Sequence, residues 1–305
     1  MAELVFLGTP EAAVAPLRAV VDAGHRVRLV VSRPDRRRGR GASLVPSPVK
    51  QAASELGLPV TDRLEEVASA GAELGVVVAY GALVPSALLE KVPMVNLHFS
   101  LLPRWRGAAP VERAILAGDA ETGVCLMRLD AGLDTGPVLA RRSTPIHPDE
   151  HAGALRTRLA SMGADLLVDA LAGGLASLGP GEAQRGTPTY AAKIDAGELR
   201  IDWEQPAEHI VRQVRLDRAH TSFRGRRLRV LDAVVDVGAS GSALPGTLLP
   251  GGVVAAGEAS AVALRQVQPD GRRPMDVAAW WIGARPEPGE RLGSLEAAAS
   301  GAGHR

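Results

Sequence analysis

Up to about residue 177, short apolar runs alternate with stretches of helical period, and this alternation restricts the fold more than any other feature of the chain. "LVFLG" (4–8) is an apolar run ended by Gly8. After it, Thr9 is placed to cap a helix, Pro10 suits its first turn, and Val14, Leu17, Val20 and Val21 keep helical spacing as far as Gly24. "VRLVV" (27–31) supplies a second strand. Ser47 and Pro48 open a further helix with Val49, Ala52, Ala53 and Leu56 on one stripe and Gly57 to stop it, and "LGVVVAYG" and "MVNLH" read as short strands buried on both faces. Such alternation predicts a doubly wound α/β domain on a parallel sheet. "GVCLMRLD" and "PVLARRSTPI" form a later pair of strands, and "EHAGALRTRLASMGADLLVDALAGGL" a long amphipathic helix.

Beyond Ser177 the pattern changes. "SLGPGEAQRGTPTYAAKIDAGE" is rich in Gly, Pro and polar residues without a period, so it reads as a connection that Tyr190 and Ile194 could pin to a surface. The runs "RRLRVLDAVVDV", "GGVVAAG" and "AVALRQVQ", broken by turns such as "PDG", predict a small all-β barrel or sandwich. A length of 305 residues favours two domains over one. The boundaries expected are a first domain over 1–188, a linker over 189–203, a second domain over 204–292 and a disordered tail over 293–305. One cysteine, Cys125, can build neither a disulfide framework nor a thiolate zinc site. No run of eighteen apolar residues occurs, and the opening "MAELVFLGTPEA" lacks the basic flank of a secretory leader, so a cytoplasmic protein with no membrane contact is expected.

The stretch with most chemistry is "VNLHFSLLPRWRGAAP" (95–110). Asn96 and His98 are two apart, so on a strand both project from one face. Pro103, Gly107 and Pro110 then break regular structure at a strand end, where α/β proteins place ligands. "DAGLDTGPV" offers two carboxylates, Asp130 and Asp134, although Asp between glycines is also the ordinary material of a turn. Other chemistries are less well served. His147 and His151 have a helical ligand spacing, but Pro148 lies between them and no third metal ligand is evident. Ser100, His98 and Asp134 would make a hydrolytic triad, yet no Gly-x-Ser-x-Gly elbow is present. "GTPEAA" lacks the dinucleotide fingerprint.

"NLHFSLLPRWRGAAPVERAILAGDAETGVCLMRLDAGLDTG" resembles the core of the formyltetrahydrofolate-dependent formyltransferases. "RGAAP", the opening "FLGTP" and the "RPDRRRGRG…VPSPVK" loop are similar to the branch of that family that acts on charged tRNA. The resemblance covers Leu4 to about Trp203, and continues through "LRIDW", "PGTLL" and "PDGRRPM". It implies a Rossmann-like formyltransferase domain followed by an OB-like β-barrel. It also implies that Asn96, His98 and Asp134 are catalytic, and that Ser100, Leu101, Leu102 and Pro103 contact the folate. Three departures stand out: Phe99 follows His98 where the family often has glycine, Ala42 and Ser43 replace lysines after "GRG", and an aromatic, proline-rich segment is missing near "VRLDRAHTSF".

The activity implied is transfer of a formyl group from 10-formyltetrahydrofolate to the free amino group of methionyl-initiator tRNA, for translation initiation, by a monomer that needs no metal. Asn and His donors aimed at the former carbonyl oxygen would stabilise a tetrahedral intermediate. A carboxylate at Asp134 would either take the amine proton or hold His98 protonated. Two basic runs fit a polyanionic partner: Arg33, Arg36, Arg37, Arg38, Arg40 and Lys50 in the first, and Arg215, Arg218, Arg224, Arg226, Arg227 and Arg229 in the second. Of these, Arg36, Arg37, Arg38, Arg40, Arg224, Arg226, Arg227 and Arg229 are the expected tRNA contacts. The alternatives are a formyltransferase acting on an amino sugar nucleotide or purine ribotide, and a non-catalytic module that binds folate or RNA.

Overall fold

The computed structural model describes residues 1–37, 44–238 and 243–293. The chain divides into two compact units, one of residues 1–114, 120–146 and 154–193, the other of 115–119, 147–153 and everything from 194 onward.

In the first unit the apolar runs become strands β1 (Glu3–Gly8) and β2 (Arg26–Val31), joined through helix α1 (Val14–Asp22). Two-residue strands β3 (Arg36–Arg37) and β4 (Leu44–Val45) pair antiparallel, and helix α2 (Pro48–Glu55) leads to β5 (Val60–Thr61). Next come β6 (Leu74–Val78), the one-turn helix α3 (Ser86–Leu89), β7 (Met94–His98), β8 (Arg106–Gly107) and helix α4 (Pro110–Ala117). β9 (Glu121–Arg128), β10 (Val138–Pro145), the twenty-residue helix α5 (Ala152–Leu171) and β11 (Tyr190–Ala191) complete the set. The main sheet has the order β10-β9-β7-β6-β1-β2-β5. The five strands β7, β6, β1, β2 and β5 are parallel, whereas β9 joins β7 and β10 joins β9 antiparallel, so the later pair of strands departs from the expected parallel pattern. The chain runs outward from β1 to β2 and β5, then returns to the other side of β1 for β6 and β7. Crevices at carboxyl ends beside such a reversal are where open α/β sheets bind ligands.

Local chemistry explains most of the boundaries. Ser47 accepts the Lys50 N–H at 3.0 Å, which caps α2, and Pro48 fits its first turn. Thr9 does not cap its helix. Its hydroxyl donates to the Tyr80 carbonyl at 2.9 Å, and a short 3-10 turn over Glu11–Ala13 precedes α1 instead. Leu4 to Leu7 are wholly buried, as a strand covered on both faces requires. The connecting segment is tied down at Tyr190, one of the two residues expected to pin it, because β11 pairs parallel with β8.

The second unit contains helix α6 (Ala207–Val214), strands β12 (His220–Phe223), β13 (Arg226–Val235), β14 (Leu248–Leu249), β15 (Val253–Ala255), β16 (Ala261–Pro269) and β17 (Met275–Asp276), and helix α7 (Val277–Ala284). The sheet order is β12-β13-β16-β15-β14, with β17 on β16. Residues 290–293 run between the outer strands: Leu248 N–H donates to the Glu290 carbonyl and Gly293 N–H to the Ser222 carbonyl, both at 2.8 Å. Trp203, Ile210, Val214, Val230, Val262, Val267 and Trp280 fill the core. The Trp203 indole donates to Thr221 Oγ1 at 3.0 Å, so its one polar atom is not left bare. The expected tail beyond Gly293 lies outside the described residues, as do Arg38 and Arg40.

Candidate active site

β7 carries apolar residues on both faces until its carboxyl end, where Asn96 and His98 share one face. Asn96 sits opposite Val77 of β6 and Met127 of β9, and His98 opposite Cys125. Asn96 is half-buried, and its amide has no hydrogen-bond partner among the described residues. His98 is only 5% exposed. Its Nε2 lies 2.8 Å from the Trp105 carbonyl oxygen, an acceptor, so Nε2 carries the hydrogen and donates. Nδ1 is thereby the nitrogen left for chemistry, and it faces Asp134 Oδ2 at 3.6 Å.

The two candidate aspartates separate cleanly. Asp130 Oδ1 accepts from Gly132 N–H at 3.1 Å and from the Thr135 hydroxyl at 2.6 Å, which makes it the turn former. Asp134 takes a left-handed backbone, φ 52°, and its Oδ2 accepts the Gly107 N–H at 2.8 Å. Asp134 is thereby brought from a distant loop to His98, at the end of the strand whose same face bears Asn96.

The tetrapeptide after Phe99 divides in its roles. Ser100 is wholly buried and donates to the Arg104 carbonyl at 2.6 Å, while Leu102 packs with Cys125, Met127 and Val138. These two brace the loop from inside; Leu101 and Pro103 keep partial surface, and the Leu102–Pro103 peptide is cis. Ser100 is not bonded to His98, so the hydrolytic arrangement is absent from this site. Burial pushes the Cys125 thiol up, away from reactivity.

Sequence reasoning missed the buttress of this site. Gln184 bonds to Arg106 and to the carbonyls of Asp134 and Gly136, and Trp105 N–H donates to Thr189 Oγ1 at 2.9 Å. The composition of 177–198 carries no period that would flag these positions; only the isolated pair Tyr190 and Ile194 hinted at attachment.

The remaining candidates fall elsewhere. His147 and His151 do not form a metal site: His151 Nδ1 is 2.8 Å from Asp217 Oδ1, and among the described residues no group of three His, Cys, Asp or Glu is arranged to hold an ion. The Asp217 hydrogen bond raises the His151 pKa against the opposing effect of burial. Arg36 and Arg37 lie on β3. In the second unit, Arg224 is engaged internally by Glu290 at 2.6 and 2.8 Å and by the carbonyls of Ala284 and Arg285. The pair holds the Arg224 pKa up and the Glu290 pKa down. Arg229 likewise donates to Gln268 Oε1 at 2.8 Å and to the Asp217 carbonyl at 3.0 Å. Arg226 and Arg227 are exposed, and Arg227 lines a cleft of about 350 Å³ with Arg218, Arg229 and Gln268.

The formyl transferase family matches residues 2–171 of this chain, and the formyl transferase C-terminal domain matches residues 193–285. The chain belongs to the formyl transferase family, and its first unit has the Rossmann-like fold of that family. It is similar to the methionyl-tRNA formyltransferase of Jannaschia sp. (strain CCS1), with 44% identity over 303 residues, 95% of this chain and 99% of that protein. The methionyl-tRNA formyltransferase of Paracoccus denitrificans (strain Pd 1222) is 45% identical over 289 residues, 90% of this chain and 95% of its own length. Among solved structures, the N-formyltransferase of Helicobacter canadensis in complex with folinic acid and dTDP-3-aminofucose matches with a TM-score of 0.66, over 87% of this chain and 99% of that one. At 19% identity that likeness is one of fold.

Proposed function

We propose that this chain transfers the formyl group of 10-formyltetrahydrofolate to the α-amino group of methionyl-initiator tRNA, the reaction that prepares the initiator for translation. The observation that carries the reading is the pairing of His98 Nδ1 with the Asp134 carboxylate at the end of the strand whose same face bears Asn96, an amide with no hydrogen-bond partner among the described residues. Relatives that share 44% and 45% identity and bear the name of that activity support the choice of amine.

The reaction makes a C–N bond from the amine to the formyl carbon and breaks the bond from that carbon to N10 of the folate; one amine proton ends on N10. Asn96 donates its amide hydrogen to the oxygen that becomes negative in the tetrahedral intermediate. His98, with Nε2–H fixed by the Trp105 carbonyl, presents Nδ1 to the reacting centre beside the Asp134 carboxylate. Asp134 is also the carboxylate placed to take the proton of an attacking amine. Leu101 and Pro103 offer the folate the partial surface that Ser100 and Leu102 support from beneath.

In this proposal catalysis belongs to a domain over 1–188 and tRNA binding to a domain over 204–292, with residues 189–203 linking them. In this reading the second domain is an OB-like barrel whose edges the 290–293 segment joins. Arg36, Arg37, Arg38 and Arg40 serve the acceptor end, and Arg226 and Arg227 the body of the tRNA. The enzyme works as a cytoplasmic monomer without a metal; among the described residues no helix is long and apolar enough to cross a membrane. The test is formylation with 10-formyltetrahydrofolate and three amines at equal concentration: methionyl-initiator tRNA, an amino sugar nucleotide and a purine ribotide. Preference for the tRNA is expected. Equal use of a small amine would overturn the substrate assignment, and no transfer to any of them would leave a binding module.

A further inference from the structure

A primary carboxamide has two hydrogens to donate and two acceptor lone pairs, and Gln184 uses all four within the protein. Its Oε1 accepts from Arg106 Nε at 3.0 Å and Nη2 at 2.7 Å, and its Nε2 donates to the carbonyls of Asp134 at 2.8 Å and Gly136 at 2.9 Å. The two carbonyls belong to the loop in which Asp134 holds a left-handed φ of 52°. A non-glycine residue keeps that backbone only where its surroundings impose it. The Arg106 guanidinium belongs to the strand whose next residue, Gly107, gives its N–H to Asp134 Oδ2 at 2.8 Å. One side chain thus braces the Asp134 backbone and the neighbour of the group that receives the Asp134 carboxylate.

We infer that Gln184 is a positioning residue for formyl transfer, acting through Asp134 by holding its carboxylate against His98. The kinetic part of the inference rests on the proposed activity. Gln184 touches neither ring nitrogen of His98 nor Asn96, so its effect on the reaction passes through the loop it clamps. Misplacement of a reacting group by about 1 Å costs about 10²-fold in rate.

The experiment compares wild type with Gln184→Ala and Gln184→Glu, each also built on Asp134→Asn. The glutamate variant keeps an acceptor for Arg106 and loses both donated bonds, so it retains half of the clamp if the alanine variant folds poorly. Both are expected to lower kcat about 10²-fold with the KM for formylfolate changed less than about twofold. In the Asp134→Asn background the same substitutions should cost less than about threefold, because the group they position is already disabled. A loss of equal size in both backgrounds would overturn the inference and leave Gln184 a structural residue. Amide exchange gives a readout that needs no substrate: Gly107 N–H should exchange at least about tenfold faster in the variants, while the core amide of Val30 is unchanged. Unaltered Gly107 exchange would overturn the inference even if activity fell. Were wild type inactive on methionyl-tRNA, the proposed function would fall, while the Gly107 exchange would still decide whether Gln184 holds Asp134.

Discussion

His98 Nδ1 faces Asp134 Oδ2 at 3.6 Å, while the opposite ring nitrogen is anchored on the Trp105 carbonyl. The imidazole therefore cannot swing without losing its anchor, and the carboxylate meets one nitrogen only. Replacing Asp134 by Asn keeps the shape and an acceptor for the Gly107 N–H but removes the charge. Turnover of Asp134→Asn should fall by about 10² or more with the thermal midpoint nearly unchanged, as read by initial rates and calorimetry on the same preparation. Near-wild-type turnover from pH 6 to 9 would contradict the role given to this carboxylate.

In the proposed reaction Asn96 and His98 act on charge that develops as the amine attacks. Asn96→Ala and His98→Ala should each lower kcat by about 10²–10³ while the formylfolate dissociation constant stays within about threefold. Steady-state rates set beside equilibrium titration of the folate separate the two quantities; an affinity loss that matched the rate loss would show ground-state binding instead.

How much of this site the sequence discloses depends on whether its parts are local. Asn96 and His98 share a strand, so a spacing of two is enough to put them on one face, and Ser47 with Pro48 marks the start of α2 for the same reason. Asp130 and Asp134 are chemically alike and four residues apart; a left-handed backbone and the Gly107 N–H separate their roles, and neither is written in local composition. Thr9 has every attribute of a helix cap, yet the Tyr80 carbonyl, 71 residues on, claims its hydroxyl. Gln184 sits in a stretch without period, fifty residues from the carbonyl it holds. Arg224 and Arg226 belong to one basic run, and what distinguishes Arg224 is distant in sequence: Glu290, 66 residues on, and the carbonyls of Ala284 and Arg285. The resemblance to the formyltransferases supplied Asp134 where spacing alone left two candidates.

The engaged and exposed arginines of the second unit should separate under salt. Arg226→Ala with Arg227→Ala should weaken tRNA binding and lower the slope of log affinity against log salt, by about 0.7–0.9 for each phosphate no longer neutralised. Arg224→Ala removes a side chain already held by Glu290 and two carbonyls, so it should lower the thermal midpoint more than it changes that slope. Neutralising Arg36, Arg37, Arg38 and Arg40 should reduce both the slope and turnover at saturating tRNA, since these residues are assigned to the acceptor end. Binding titrations at two salt concentrations, with wild type in parallel, check all three; identical slopes throughout would make the basic runs mere solvated surface.

The His151–Asp217 pair gives the second unit a pH-dependent tie. Asp217 also accepts the Gly153 N–H at 2.9 Å through its other oxygen, and Arg215 donates to the carbonyls of His147 and Glu150 at 2.9 Å, so residues 147–153 are fastened at several points to the end of α6. The hydrogen bond that His151 donates to Asp217 raises the folded-state pKa of His151 above its ordinary value of about 6.5, with burial acting in the opposite direction. A group whose folded pKa is raised binds its proton more tightly in the native state, so protonation favours folding. The stabilisation is fully present below about pH 6.5, shrinks as pH climbs through the folded pKa, and is lost above it. Both side chains are partly exposed, which keeps the effect small. The thermal midpoint of His151→Asn should therefore lie below that of wild type by more at pH 6 than at pH 9. Scanning calorimetry of the two proteins at those pH values measures the difference, and a gap that stayed constant or widened toward pH 9 would show that the pair contributes no proton-linked stability.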